Sequence, residues 1–372
     1  MTDRALTATI DGATIGVYRF PTPQPEADGT LSWDATVAVT VQLHAGGFTG
    51  LGWTYSSPAA AAAIQHHLLP AVRGHDVADI AGGWEAMRRA ARNLGTKGLV
   101  MQALSAVDVA WWDLKARLVH LPVGDLLGRC RNRVPVYGSG GFTSMTDAQL
   151  AQQVEQWQAA GCTAMKIKIG ELWGSRVERD IHRIDQLRQW AGDQVTLMVD
   201  ANGAYSVGRA RRVGVALDSF GVTWFEEPVS SDDLAGLATV RAAVHCDVAA
   251  GEYASDSYDI AGLLPVVDCL QLDATRCGGY TGWLAGAALA RARNLEVSAH
   301  CAPALHAPVA AAVPHLRHVE WFADHVRLEP LLLDGVPPVR DGELVPDLTS
   351  PGHGMHLSEG AERFLASPAI RC

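Results

Sequence analysis

The sequence is short of several features that mark other protein classes. Lys and Arg total 30 against 40 Asp and Glu, a formal net charge of −10 over 372 residues. Nucleic acid and anionic membranes are held by basic patches, so neither is expected as the main partner. A small anionic substrate stays compatible, because a metal ion and local lysines set the field inside a pocket. The seven cysteines, at positions 130, 162, 246, 269, 277, 301 and 372, never form a CxxC pair. Scattered and odd in number, they read as free thiols of a reducing compartment. Met1-Thr2-Asp3-Arg4 opens without the apolar core of a secretory signal, and no apolar run is long enough to cross a bilayer. A soluble cytoplasmic protein is expected. A Gly-rich phosphate loop is missing as well: Ser139-Gly140-Gly141 comes nearest and has no lysine partner, which argues against a phosphoryl-transfer barrel.

What remains is an ordinary globular composition, 48% hydrophobic and 19% charged, in a chain long enough for a large core. Residues 1 to 130 read as an α+β domain. Val37, Val39, Val41 and Leu43 alternate with Ala38, Thr40 and Gln42, the period of a half-buried strand. Ser57-Pro58 starts an Ala-rich helix, and two further helices are expected over Gly83–Leu94 and Val100–Leu118. From Val134 onward, short β-rich runs alternate with helical ones: Val134–Tyr137, Ala164–Ile169, Thr196–Val199, Val222–Phe225, Val248–Ala250, Cys269–Leu272, Glu296–Ala299 and His318–Trp321. Such alternation predicts a TIM-like barrel over residues 131–327. A doubly wound sheet is the alternative, but function-bearing strand ends all along the sequence favour a closed barrel. The tail, 328–372, is rich in Pro and Gly and is expected to fold back over the first domain.

Asp200, Glu226 and Glu252 each follow an apolar run, and the two intervals between them are equal. An interval of this size fits one strand, one helix and two loops, so each acid falls at the C-terminal end of a parallel strand. A single acid there is commonly a helix cap. Three that converge repel one another unless a cation sits among them, and an all-oxygen set suits a hard cation, most simply Mg²⁺. Lys166-Ile167-Lys168 puts both lysines on one strand face, pointing into the barrel, where burial and like charge are expected to lower one pKa. Asp273 and His300 end the next two strands, a placement that allows the carboxylate to orient the imidazole. Glu320 ends the last strand and, taken alone, reads as an ion-pair partner. A cation flanked by lysines on one side and an Asp–His pair on the other suits removal of a proton beside a carboxylate, with the charge of the resulting enediolate neutralised.

The Lys166-x-Lys168, Asp200-x-Asn202, Glu226-Glu227-Pro228 and Gly251-Glu252 motifs, with Asp273 before Gly278-Gly279, His300 and Glu320, resemble the enolase superfamily, specifically its mandelate racemase subgroup. Ala103–Lys115 with Leu121-Pro122 and Leu126-Leu127-Gly128 is similar to the helix that ends the cap in that family. The resemblance implies an α/β fold: a modified TIM barrel, (β/α)7β, with an N-terminal α+β capping domain. It also implies Mg²⁺ on Asp200, Glu226 and Glu252, with Asn202 and Glu227 supporting those ligands. Lys168 is then the base on one face, Lys166 contacts the substrate carboxylate, and His300 oriented by Asp273 serves the other face. Glu320 donates a hydrogen bond to that carboxylate. A homo-oligomer and a small-molecule carboxylate substrate are implied too.

Two outcomes use the same residues. Loss of a β-hydroxyl gives an acid-sugar dehydratase; reprotonation gives a racemase or epimerase. The expected lid segments, 20–30 and 50–55, contain Pro, Gly and acids and predict a polar cover, which favours the dehydratase. A non-catalytic metal-binding protein is the reading from another class; intact lysines, Asp–His pair and ligands argue against it.

Overall fold

A computed structural model describes residues 8–372, so the reading of Met1–Arg4 lies outside the described residues. The first layer is an antiparallel sheet of three long strands, β1 (Gly12–Ala27), β2 (Ser32–Ala45) and β3 (Phe48–Tyr55). Val39, Val41 and Leu43 on β2 are fully buried, but Ala38 and Thr40 between them are buried as well and Val37 only partly, so this stretch is covered on both faces rather than half-buried. Val39, Val41 and Leu43 face helix Leu99–Leu118, whose Ala103, Ala106, Val107, Ala110 and Leu114 form the other half of this small core. β3 lies so close to that helix that a Cβ on Gly52 would stand 2.2 Å from the Ala106 carbonyl oxygen and 2.4 Å from Ala110 N. The Ala-rich helix begins after Ser57, whose Oγ accepts from Ala59 N at 3.3 Å. It widens into a π turn at Ile64–Leu68, just ahead of Pro70, which has no N–H to donate. The second helix runs Ile80–Ala90, earlier than expected, because the Asp79 carboxylate accepts from Gly82 N and fixes the start there.

Eight parallel strands follow: β4 (Val134–Gly140), β5 (Ala164–Lys168), β6 (Thr196–Asp200), β7 (Val222–Glu226), β8 (Asp247–Ala250), β9 (Cys269–Leu272), β10 (Glu296–Ala299) and β11 (Leu316–Phe322). Each pairs with the next, and β11 pairs with β4, so the sheet closes into a barrel and the doubly wound alternative falls away. Tyr137 on β4 and Met198, Trp224, Ala249 and Cys269 on the consecutive strands β6 to β9 make up a separate core cluster. The last strand leads into helix Ala323–Leu332, which contains the expected start of the tail at 328. The tail touches both parts of the molecule. Glu343–Leu344 pairs with Val134 and Pro135 of β4, while Ile370–Arg371 adds an edge strand to β1 of the cap.

Cap and barrel are joined through buried polar contacts. The Asp108 carboxylate, on the cap helix, accepts from Thr281 N at 3.0 Å and Thr281 Oγ1 at 2.6 Å on a barrel helix. Trp84 Nε1 donates to the Gly278 carbonyl at 3.0 Å, and Thr54 Oγ1 to that of Thr275 at 2.8 Å. Burial pushes Asp108 up to about 7 in spite of the Thr281 hydrogen bonds.

Two outcomes are expected. Gly52→Val overpacks the sheet against the helix and lowers stability by about 3 kcal/mol, read as a shifted urea midpoint. Asp108 is protonated more readily folded than unfolded, so its contribution is complete below its unfolded pKa and lost as pH rises toward 7. Asp108→Asn should therefore flatten the fall in Tm between about pH 4 and pH 7, a slope of at most about 1.4 kcal/mol per pH unit from this group.

Candidate active site

The C-terminal ends of the barrel strands bring the expected residues together. Asp200 ends β6 and Glu226 ends β7; they sit opposite each other in the strand register, and Lys168 on β5 sits opposite Asp200. Ligand oxygens of Asp200, Glu226 and Glu252 lie within 4.8 Å of one another, and all three residues are buried. Asp200 Oδ1 accepts from Asn202 N at 2.8 Å, and Trp224 Nε1 donates to Glu226 Oε2 at 2.9 Å. Glu252 Oε2 is buried and makes no hydrogen bond. Asn202 and Glu227, each next to or near a carboxylate of the cluster, hold left-handed φ values of 44° and 36°. Glu227 Oε1 and Asn202 Oδ1 are also buried without a hydrogen-bond partner. Strained backbone and orphaned acceptors gathered at one point are what an oxygen-bound ion would relieve.

The two lysines are caught in this cluster. Lys166 Nζ donates to Glu226 Oε1 at 2.6 Å and lies 2.8 Å from Glu320 Oε1; Lys168 Nζ donates to Asp200 Oδ2. Burial works against both ammonium charges, but the facing carboxylates outweigh it, and both pKa values sit well above the ordinary lysine value. That reverses the expected lowering. The lysine pair was expected to repel, whereas the carboxylates around each one act more strongly. Glu226 is also pushed well above the usual range, by burial first and then by Asp200, in spite of its contact with Lys166. The short ion pair favours an ionised Glu226, and the upward shift records how little positive charge this group of acids has to share.

On the other side His300 Nδ1 lies 2.8 Å from Asp273 Oδ2, the expected pairing. Burial opposes ionisation of Asp273, but His300 and Arg276 hold it well below the usual carboxylate range. Arg276 Nε stands 3.4 Å from Asp273 Oδ2, and its Nη1 donates to Glu252 Oε1 at 3.0 Å. Glu320, expected to donate to a substrate carboxylate, is an acceptor in its contacts within the chain. Ser139 Oγ at 2.6 Å and Cys301 N at 2.8 Å both donate to it, and Lys166 stands beside it. Burial opposes its charge, yet Lys166 and His300 keep it well below the usual range, so it acts as an acceptor.

The cleft above these groups measures about 280 Å³. Its cover differs from expectation. The tip of the β1–β2 hairpin closes on the barrel: Thr143 N and Trp173 N donate to the carbonyls of Ala27 and Gly29. A Cβ on Gly29 would stand 2.8 Å from the Ile169 carbonyl oxygen. Asp28 belongs to the expected segment, but Leu31 just before the following strand and Trp33 and Thr36 on it also line the cleft, and only Tyr55 of the second segment does. The cover is thus partly apolar. Sequence reading also missed Tyr253, Arg276, Cys301, Asp324 and His325. The signal was positional, since each lies a few residues beyond a strand end already marked by an acid or histidine.

The closed barrel, the α+β sheet over its mouth and the buried acids between lysines and imidazole define a capped barrel enzyme. Residues 14–128 match the family described as mandelate racemase / muconate lactonizing enzyme, N-terminal domain, and residues 149–361 the enolase C-terminal domain-like family. The chain belongs to the enolase superfamily, in its mandelate racemase subgroup. It is 34% identical over 357 residues to 3,6-anhydro-alpha-L-galactonate cycloisomerase of Streptomyces coelicolor, covering 92% of this chain and 95% of that one. It is similar to a mandelate racemase/muconate lactonizing enzyme-like protein from Rubrobacter xylanophilus, with a TM-score of 0.93, 41% identity and coverage of 96% and 100%. L-talarate/galactarate dehydratase from Salmonella typhimurium, liganded with Mg and L-lyxarohydroxamate, gives a TM-score of 0.91 at 27% identity, covering 100% of this chain and 96% of that one.

Mg²⁺ fits the oxygen set of Asp200, Glu226 and Glu252. At about a hundredfold excess over Kd it should stabilise the fold by about 2.7 kcal/mol, seen as a rise in Tm of a few degrees that EDTA reverses. An unchanged Tm would remove a cation from this cluster.

Proposed function

We propose that the chain is a Mg²⁺-dependent acid-sugar dehydratase that begins by taking the α-proton of a carboxylate substrate. The observation that carries this reading is the convergence of Asp200, Glu226 and Glu252 between Lys168 on one side and the His300–Asp273 pair on the other. The related dehydratase carrying Mg and a hydroxylated acid analogue supports it. Mg²⁺, held by the three carboxylates, supplies positive charge where the substrate carboxylate gains negative charge.

The chain's own residues do the rest. Lys168, in its neutral form, takes the α-proton. Asp200 would be shared between Lys168 and the cation: it holds Lys168 as an ammonium here, and a cation on the same carboxylate would weaken that hold and favour the neutral amine. Lys166 stays charged against Glu226 and Glu320 and draws in the substrate carboxylate. His300, oriented by Asp273 at Nδ1, gives the Nε2 proton of its protonated form to the β-hydroxyl, which leaves as water, and is left as the neutral imidazole. The remaining enol ketonises to a 2-keto-3-deoxy acid. Glu320 fixes Lys166 and the Cys301 backbone from below, while Asn202 and Glu227 support the ligand loops. Unpaired cysteines, most of them buried, support placement in a reducing cytoplasm.

Proton NMR in D₂O with Mg²⁺ tests the reading: loss of the α-proton signal with a keto-deoxy product is expected. Exchange with an epimeric product instead would make the enzyme an epimerase. Lys168→Ala and His300→Asn should each cut turnover by at least about 100-fold with Tm retained, and a fully active variant of either would end the two-base scheme. Glu252→Gln should lose activity and the Mg²⁺-dependent rise in Tm together.

A further inference from the structure

The two ends of the cleft differ in charge. At the inner end stand Lys166, Lys168 and the carboxylates that suit a cation. At the outer end no cation is free among the described residues that line the cleft. Arg276 is paired with Asp273 Oδ2 at 3.4 Å and with Glu252 Oε1 at 3.0 Å, a carboxylate it would share with a bound cation. His325 Nδ1 accepts from Ala302 N at 2.9 Å, so that nitrogen carries no proton. Its ring stacks on Tyr55 with centroids 3.7 Å apart, and burial pushes its pKa down to about 4. The imidazole is therefore neutral, with Nε2–H left as a donor. Two carboxylates also face the outer cleft. Asp28 Oδ1 accepts from Thr30 N at 2.6 Å and Leu31 N at 2.7 Å. Asp324 accepts from Thr36 Oγ1 and from Arg327, which its charge matches. Behind this wall Glu329 is raised to about 8 by burial, and so adds no firm charge of either sign.

A second carboxylate placed here would meet two acids and no unpaired cation, an arrangement that rejects like charge. Hydroxyl groups, by contrast, find acceptors on Asp28, Asp324 and the Thr36 hydroxyl oxygen and a donor on His325. We propose that the substrate carries one carboxylate, bound at the inner end, and an uncharged hydroxylated tail that meets the wall formed by Asp28, Thr36, Asp324 and His325. This rests on the acid-sugar reading and narrows it to aldonic-type monocarboxylates over aldaric dicarboxylates.

The test follows α-proton loss in D₂O with excess Mg²⁺ over aldonic and aldaric acids of matched configuration. At least one aldonate should exceed its matched aldarate in kcat/KM by about 100-fold or more. An aldarate turned over as well as, or better than, its aldonate would overturn the monocarboxylate proposal while leaving the acid-sugar reading intact. Exchange on no member of either series would overturn the acid-sugar reading and this proposal with it. Asp324→Asn leaves the Arg327 guanidinium without its carboxylate and should narrow the ratio by about tenfold; an unchanged ratio in a folded variant would count against the proposed wall. Competitive inhibition of the wild-type enzyme gives a readout that needs no variant. A dicarboxylate analogue that binds as tightly as the monocarboxylate of equal length would overturn the proposal.

Discussion

A shortage of positive charge at the barrel mouth governs this structure. Asp200, Glu226, Glu252 and Glu320 are buried together; Lys166 and Lys168 balance Asp200, Glu226 and Glu320, and Arg276 reaches Glu252 from the far side, where His300 also stands. Isolated buried charge is expensive, and a barrel core could have been filled with apolar side chains at no such cost. The closed sheet supplies the rigid frame that keeps the acids from moving apart. Strain at Asn202 and Glu227 and the orphaned oxygen of Glu252 are local signs of the same imbalance. A hard cation answers all of them at once.

The cap depends on that arrangement in turn. A charged cluster of this kind is useful only if bulk water is kept from it, and the hairpin tip that holds Asp28 does this by hydrogen-bonding its backbone to two barrel loops. Side chains add to this backbone closure: Trp33 packs edge-on against Phe142, and Thr36 donates to Asp324. The joint near Asp108 and Trp84 anchors the cap on the opposite side, so the sheet spans the mouth between two fixed points.

Much of this was legible in the chain. Equal spacing of Asp200, Glu226 and Glu252 announced parallel strand ends, and alternation at Lys166-Ile167-Lys168 aimed both lysines inward. The Asp273–His300 contact followed from adjacent strands. What was not legible depended on distance between segments remote in sequence. Whether a lysine gains or loses a proton turns on which carboxylates stand within a few ångströms, and a count of neighbours along one strand gives the wrong sign for Lys168. Glu320 reads as a lone acid until Ser139, Cys301 and Lys166 are seen to point at it. The lid was misjudged for a similar reason: the strand after the turn, with Trp33 and Thr36, faces the cleft, and periodicity alone cannot say which side of a long hairpin overhangs a barrel.

The Asp113 carboxylate on the cap helix accepts from Leu51 N and Arg117 Nε within the cap and from His353 N of the tail, and the edge of the cap sheet is Ile370–Arg371. These tail contacts impose an order on assembly. The cap segment precedes the tail in the chain, and until the tail is made Asp113 lacks one donor and the cap sheet lacks one edge strand. The whole barrel must be made in between. The cap is thus closed by residues that follow the whole barrel in the chain, so cutting the tail away would leave β1 an open edge and Asp113 one donor short.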